Sequence, residues 1–351
     1  MAELISLADI DAARERVEGT VVRTPLVRLE RERMRAAGWM ELAEAMPDIW
    51  LKDESAQPIG SFKLRGAFNM VAQLAAEELS RGVITYSSGN HAQGVAFAAR
   101  ALGAKAVIVM PSTTPKNKLA KTQALGAEIV MVGPGSLERK ARAEELAAEF
   151  GYAMVPPYDD ERIIAGQATC GVEILEQMGW GAGSAAGVAL VLAPVSGGGL
   201  LSGISSGVKL LCEAKGWAAP KVWGVEPEVA ADAKESFDTG KLVEWDAAKT
   251  TRTLADGLRT QSLGERNFAH ILRFVDRIVT VSEAEIREAM QVVMAATEIV
   301  PEPSGAVSVA AALFHAAEMP RTVVAVVSGG NLEPELREEL ATSRVMPRQD
   351  L

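Results

Sequence analysis

Cysteine is nearly absent: Cys170 and Cys212 are the two in the chain. That excludes a disulfide framework and favours a reducing, cytoplasmic setting. The first residues, Met1 to Ser6, hold no basic region followed by an apolar run, so no secretory leader is expected. No apolar run is long enough to span a bilayer; the longest, such as Gly187 to Val195, suit buried strands. Positive charge is also in deficit. A net charge of -10 argues against a nucleic-acid or anionic-membrane surface. Internal repeats and long low-complexity segments are lacking. What remains is 48% hydrophobic and 23% charged residues over 351 positions, the balance of a soluble globular enzyme with two domains.

Short apolar runs alternate with helical segments, which predicts an α/β fold with mostly parallel, twisted sheets flanked by helices. Strands are expected at Gly82 to Tyr86, Lys105 to Met110 and Glu128 to Val132. Helices are expected at His91 to Leu102, Pro115 to Leu125 and Leu137 to Phe150. This β-α-β-α-β-α block forms the core, about 82–150, of a small domain over 61–155. Residues 1–60 and 156–351 form the large domain, with strands at Val188 to Pro194, Val222 to Glu226 and Thr322 to Val327. The stretches Ala36 to Asp48 and Trp180 to Ala186 read as surface loops. The chain runs only a short way past Asn331, so no C-terminal regulatory domain is expected.

Four segments carry chemistry. In Ser61-Phe62-Lys63-Leu64-Arg65-Gly66 a lysine stands between an aromatic and a small-residue turn. Only a neutral lysine amine condenses with an aldehyde, so such a site must depress its pKa. The plain alternative is a solvated lysine at a helix start. Gly197-Gly198-Gly199 follows a buried strand and opens a helix, where backbone N–H groups suit a phosphate. The same run nearly matches a dinucleotide fingerprint, with Glu226 as the ribose acid. Ser87-Ser88-Gly89-Asn90-His91 lies at a strand-to-helix junction and suits a carboxylate, or is a simple helix cap. Ser328-Gly329-Gly330-Asn331 follows another buried strand, at the end of a sheet where ligands gather.

Together and in this order, the four segments resemble the serine/threonine dehydratase and serine racemase family, which are fold-type II pyridoxal 5'-phosphate (PLP) enzymes. The resemblance runs from Arg23 to Asn331 and implies specific roles. Lys63 holds PLP and, once displaced, is the Cα base. Phe62 and the Asp256-Gly257 turn sandwich the ring; Leu254 to Gly257 match a family segment. Gly197, Gly198, Gly199 and Leu200 hold the phosphate. Ser87, Ser88, Asn90 and His91 hold the α-carboxylate, and Asn90 also meets the phenolic oxygen. Ser328 meets the pyridine nitrogen, and a neutral serine there suits elimination over transamination. Glu226, the Ala230 carbonyl and Asp232 match a site for Mg²⁺ or Ca²⁺; the plain reading is an acidic loop. Glu302 matches as a structural group close to the ring. Ser88 is the racemase-side feature, a proton donor opposite Lys63. Arg139 falls where racemase-like members reach a second carboxylate, while Tyr158 fits the dehydratases.

The implied activity is conversion of a β-hydroxy amino acid, such as L-threonine or L-serine, to a 2-oxo acid and ammonia. Serine racemase and 3-hydroxyaspartate dehydratase are the alternatives within the family. An NAD(P) oxidoreductase and a silent binder of the same fold are the alternatives outside it. A homodimer acting on a small amino acid is expected.

Overall fold

The computed structural model describes residues 3–114, 116–133, 136–180 and 189–342. Ten strands among them form two sheets. The larger contains β1 (Leu26–Arg28), β2 (Asp48–Asp53), β7 (Leu190–Pro194), β8 (Lys221–Pro227), β9 (Arg277–Val281) and β10 (Thr322–Val327). Its order is β1-β2-β10-β7-β8-β9, parallel except for the β1–β2 pair. The smaller contains β3 (Val83–Tyr86), β4 (Ala106–Pro111), β5 (Glu128–Val132) and β6 (Ala153–Met154), ordered β5-β4-β3-β6 and parallel throughout.

The central strands are continuous apolar runs because both sheet faces are covered. In β7, Leu190 and Leu192 face one hydrophobic cluster while Val191 and Ala193 face the other. In β10, Val323, Ala325 and Val327 divide from Val324 and Val326 in the same way. This two-residue alternation of a pleated strand is invisible in the sequence, since both sets are apolar. Helix Gly199–Lys215 packs closely on helix Glu161–Gln177. Small residues permit the approach: a methyl group added at Gly203 would sit 2.6 Å from Gln167 Cβ.

Most predicted strands and helices lie within two residues of the observed ones, and β5 and β10 coincide with them. Strand β6 was not expected; two residues carry no periodic pattern. The segment Ala36 to Asp48 is not a surface loop. It contains helix Met40–Ala45, pairs with helix Arg31–Ala36, and places Ala43 and Met46 in the core beside Met34. Arg31 fixes it by donating to the Met46 carbonyl at 2.6 Å. In the second expected loop, residues 181–186 lie outside the described residues. Chain order reverses between β7 and β10, and the loops that follow these two strands are the glycine loop and Ser328. Such a switch point is where open α/β sheets bind ligands.

Candidate active site

Lys63 is placed by the backbone before it. Ser61 bridges to Gly329, the Phe62 N–H donates to the Ser328 carbonyl at 3.1 Å, and Gly330 N–H donates to the Gly60 carbonyl at 2.9 Å. The lysine opens helix Lys63–Val71, eight of whose nine residues are buried. A buried ionic cluster anchors that helix from below. Arg65 contacts Glu54 at 2.7 Å and Glu173 at 2.8 Å, and Lys52 reaches Glu173 at 2.6 Å. Arg65 holds the buried Glu54 carboxylate down to about 2 against its own desolvation. Lys63 has no anion beside it. Its Nζ donates to the Pro157 carbonyl at 2.8 Å and lies 5.2 Å from the Phe62 ring centroid. Burial alone lowers its pKa to about 8, so a neutral amine is available near physiological pH.

The glycine loop leads into helix Gly199–Lys215. Gly198 has φ 97°, a left-handed conformation that favours glycine. A methyl group at Gly197 would lie 2.5 Å from the Tyr158 ring, so the aromatic rests directly on the loop. The N–H groups of Gly199 and Leu200, in the first helical turn, have no intrahelical acceptor. They offer an anion two backbone donors on a loop with no side chain of its own at Gly197, Gly198 or Gly199, with the Tyr158 ring lying against it.

The Ser87 to His91 junction lies opposite. Helix Asn90–Ala101 begins there, and Gly89 N–H contacts Ser87 Oγ at 3.4 Å. Asn90 links the two sheets: its Nδ2 donates to Glu302 at 2.6 Å, and its Oδ1 accepts from Asn331 at 2.8 Å. Ser328 Oγ donates to the Ser304 carbonyl at 3.3 Å, and Ser304 Oγ accepts from Gly257 N–H at 2.9 Å. The expected ring-binding residues Phe62, Gly257, Ser328 and Asn90 are therefore tied into one wall. His91 is not available as a base. Burial first, then the Lys63 charge, depresses it to about 3, and its Nε2 lies 3.1 Å from the Val155 carbonyl.

Four residues are more informative in place than in sequence. Glu302 is buried beneath Asn90, and desolvation followed by the Asp256 charge raises it to about 7. Lys118 pairs with Asp256 across the site, and Lys121 reaches Asn331 at 3.0 Å. Neither lysine had a distinguishing sequence signal; both sit on the polar helix Lys116–Ala124. Arg139 faces Tyr86, is half-buried, and leaves its Nε without a partner. Its guanidinium pKa is lowered by desolvation.

Glu226 and Asp232 come together below the site. Glu226 is fully buried and accepts from the N–H groups of Ala233 (3.2 Å) and Lys234 (2.8 Å). A ribose has no access to it, which removes the dinucleotide reading of the glycine loop. Burial and the Asp232 charge push Glu226 well up, and burial raises Asp232 to about 7. Asp232 Oδ2 is buried without a partner. Two carboxylates form this pair; among the described residues no cluster of three or more His, Cys, Asp or Glu side chains gathers.

Comparison with known proteins identifies this architecture. The L-threo-3-hydroxyaspartate ammonia-lyase of Saccharomyces cerevisiae is 37% identical over 328 residues, 93% of each protein. The crystal structure of a T.th. threonine deaminase has a TM-score of 0.83 and 42% identity, covering 94% of this chain and 99% of that one. The serine racemase of Dictyostelium discoideum has a TM-score of 0.81 and 31% identity, again over 94% and 99%. The profile described as "pyridoxal-phosphate dependent enzyme" matches residues 17–329, from before Lys63 through the glycine loop to Gly329, and the chain belongs to that family.

Proposed function

We propose that this chain is a PLP-dependent dehydratase (ammonia-lyase) acting on β-hydroxy amino acids, with L-threonine and L-serine as first substrates. The observation that carries the reading is Lys63: a partly buried amine lowered to about 8, hydrogen-bonded to the Pro157 carbonyl next to Tyr158, whose ring lies on the glycine loop. The chain's groups fit PLP. Lys63 would bond it, Gly197 to Leu200 would hold its phosphate, and Phe62 and Gly257 would flank the ring. Ser328 would meet the ring nitrogen and Asn90 the phenolic oxygen. When bound, the cofactor supplies the electron sink that acidifies the substrate Cα.

The protein's own groups do the rest. The N–H groups of Asn90 and His91, with the Ser87 and Ser88 hydroxyls, bind and orient the α-carboxylate. Lys63, as a neutral amine, takes the Cα proton. The β-hydroxyl leaves as water, carrying off the proton that Lys63 took from Cα, and the released product adds water and loses ammonia to give a 2-oxo acid. Glu302 holds Asn90 in place. Lys118 and Lys121 help draw the small domain, 61–155, over the large one.

The unpaired Arg139 Nε supports a second reading, 3-hydroxyaspartate as substrate, since its distal carboxylate gives that donor a partner. Ser88 supports serine racemisation as a side activity. Glu226, Asp232 and the Ala230 carbonyl suit Mg²⁺ or Ca²⁺: a cation neutralises two buried carboxylates and satisfies Asp232 Oδ2. A homodimer in the cytoplasm completes the proposal; among the described residues no helix is long and apolar enough to cross a membrane. The test is keto-acid and ammonia release from L-threonine, L-serine, D-serine and both 3-hydroxyaspartate diastereomers. Release from at least one is expected; silence with all five would overturn the reading.

A further inference from the structure

Asn267 is fully buried in helix Glu265–Phe274, directly behind the glycine loop. Its Nδ2 donates to two backbone carbonyls, Gly197 O at 2.9 Å and Tyr158 O at 3.2 Å. Its Oδ1 is buried with no partner. Turning the amide over would set its oxygen against both carbonyls, so the orientation is fixed by the two acceptors. An orphaned buried acceptor is unfavourable, and the two anchored carbonyls are what the side chain provides in return.

Gly197 O has a second donor, the Gly264 N–H at 3.1 Å. Across a planar trans peptide the C=O of one residue and the N–H of the next point in opposite directions. Pinning the Gly197 carbonyl therefore directs the Gly198 N–H away from helix Glu265–Phe274. That peptide joins two glycines, as does Gly198–Gly199, but the Gly198 carbonyl is already held by the Ser202 N–H at 2.9 Å. Asn267 is itself held, since Asp159 Oδ1 accepts from the N–H groups of Arg266 (3.0 Å) and Asn267 (3.2 Å). Its second acceptor, Tyr158, follows Pro157, whose carbonyl receives the Lys63 amine.

We infer that Asn267 is a positioning residue that aims the Gly198 N–H and thereby sets the affinity of the glycine loop for the cofactor's phosphate. This rests on the reading of the loop as a phosphate cradle. The test uses purified apoenzyme and compares PLP, pyridoxal (which lacks the phosphate) and inorganic phosphate as ligands. Asn267→Ala should weaken PLP and inorganic phosphate about tenfold, the scale of one misdirected hydrogen bond to an anion. It should leave pyridoxal unchanged. Asn267→Ser keeps one donor and should recover part of the loss, which also covers an Ala variant that does not fold. Asn69→Ala is the matched control: it too removes a buried asparagine's bond to a carbonyl, that of Arg162 at 2.6 Å, away from the loop. It should lower the melting temperature without changing the PLP-to-pyridoxal preference. Equal weakening of PLP and pyridoxal by Asn267→Ala, or no weakening, overturns the inference. A wild-type apoenzyme with no preference for PLP over pyridoxal overturns the cradle reading instead.

Discussion

At Lys63 the environment withholds an anion and supplies burial, and the consequence is a pH dependence that an ordinary lysine would not show. The folded apoenzyme holds this amine at about 8 against 10.5 for a free one. The neutral fraction, and with it the rate of PLP capture, should rise with pH and level off above about 8. A rate still climbing toward 10.5 would show an unperturbed amine. Lys63→Ala should abolish capture and turnover together. Ser88→Ala should keep part of L-serine or L-threonine dehydration and remove any conversion of L-serine to D-serine, read by chiral chromatography. Arg139→Ala should lower kcat/KM for threo-3-hydroxyaspartate by about tenfold or more, the weight of a charge-assisted bond. It should spare L-threonine; equal losses would deny Arg139 a role in selectivity. Lys63, the glycine loop and Ser328 could be picked out as candidates in the sequence because each lies in a contiguous motif. Glu302 was legible only as a motif match, since its raised pKa comes from burial and from Asp256, which is remote in the chain. Lys118, Lys121 and Asn267 were not legible, because their partners are distant in sequence and their local contexts are ordinary helix.

Among the elements, the contact between helices Glu161–Gln177 and Gly199–Lys215 carries the glycine loop and leaves little room for added volume. Gly203→Val should force the helices apart and lose about 3 kcal/mol in urea unfolding. PLP affinity should fall as well, since Gly199 begins the same helix. A variant as stable as wild type would mean that the interface relaxes freely. Strands β3, β4, β5, β7, β8 and β10 were legible as short apolar runs, whereas β1, β2, β6 and β9 were not predicted. Helix Met40–Ala45 was hard to read because it is only six residues long and its segment reads as a surface loop. Only three-dimensional packing brings Ala43 and Met46 under Met34.

Over the whole molecule, the Glu226–Asp232 pair predicts a response to divalent cations. Mg²⁺ or Ca²⁺ should raise the melting temperature, chelation should reverse the gain, and Asp232→Ala should abolish the response. Identical melting curves in all conditions would leave an ordinary pair of buried acids. The order of strands has a consequence for biosynthesis. β2 meets the rest of its sheet only through β10, which is made last. As the nascent chain leaves the ribosome, the β1–β2 pair must wait for about 270 further residues before it can dock. The smaller sheet, complete by Met154, is free to form much earlier. The lysine segment, pinned to Ser328 and Gly329, acquires its binding geometry only once β10 and the residues after it have been made. Cofactor capture is thereby tied to the synthesis of β10, and a chain stalled before Thr322 should remain colourless in the presence of PLP.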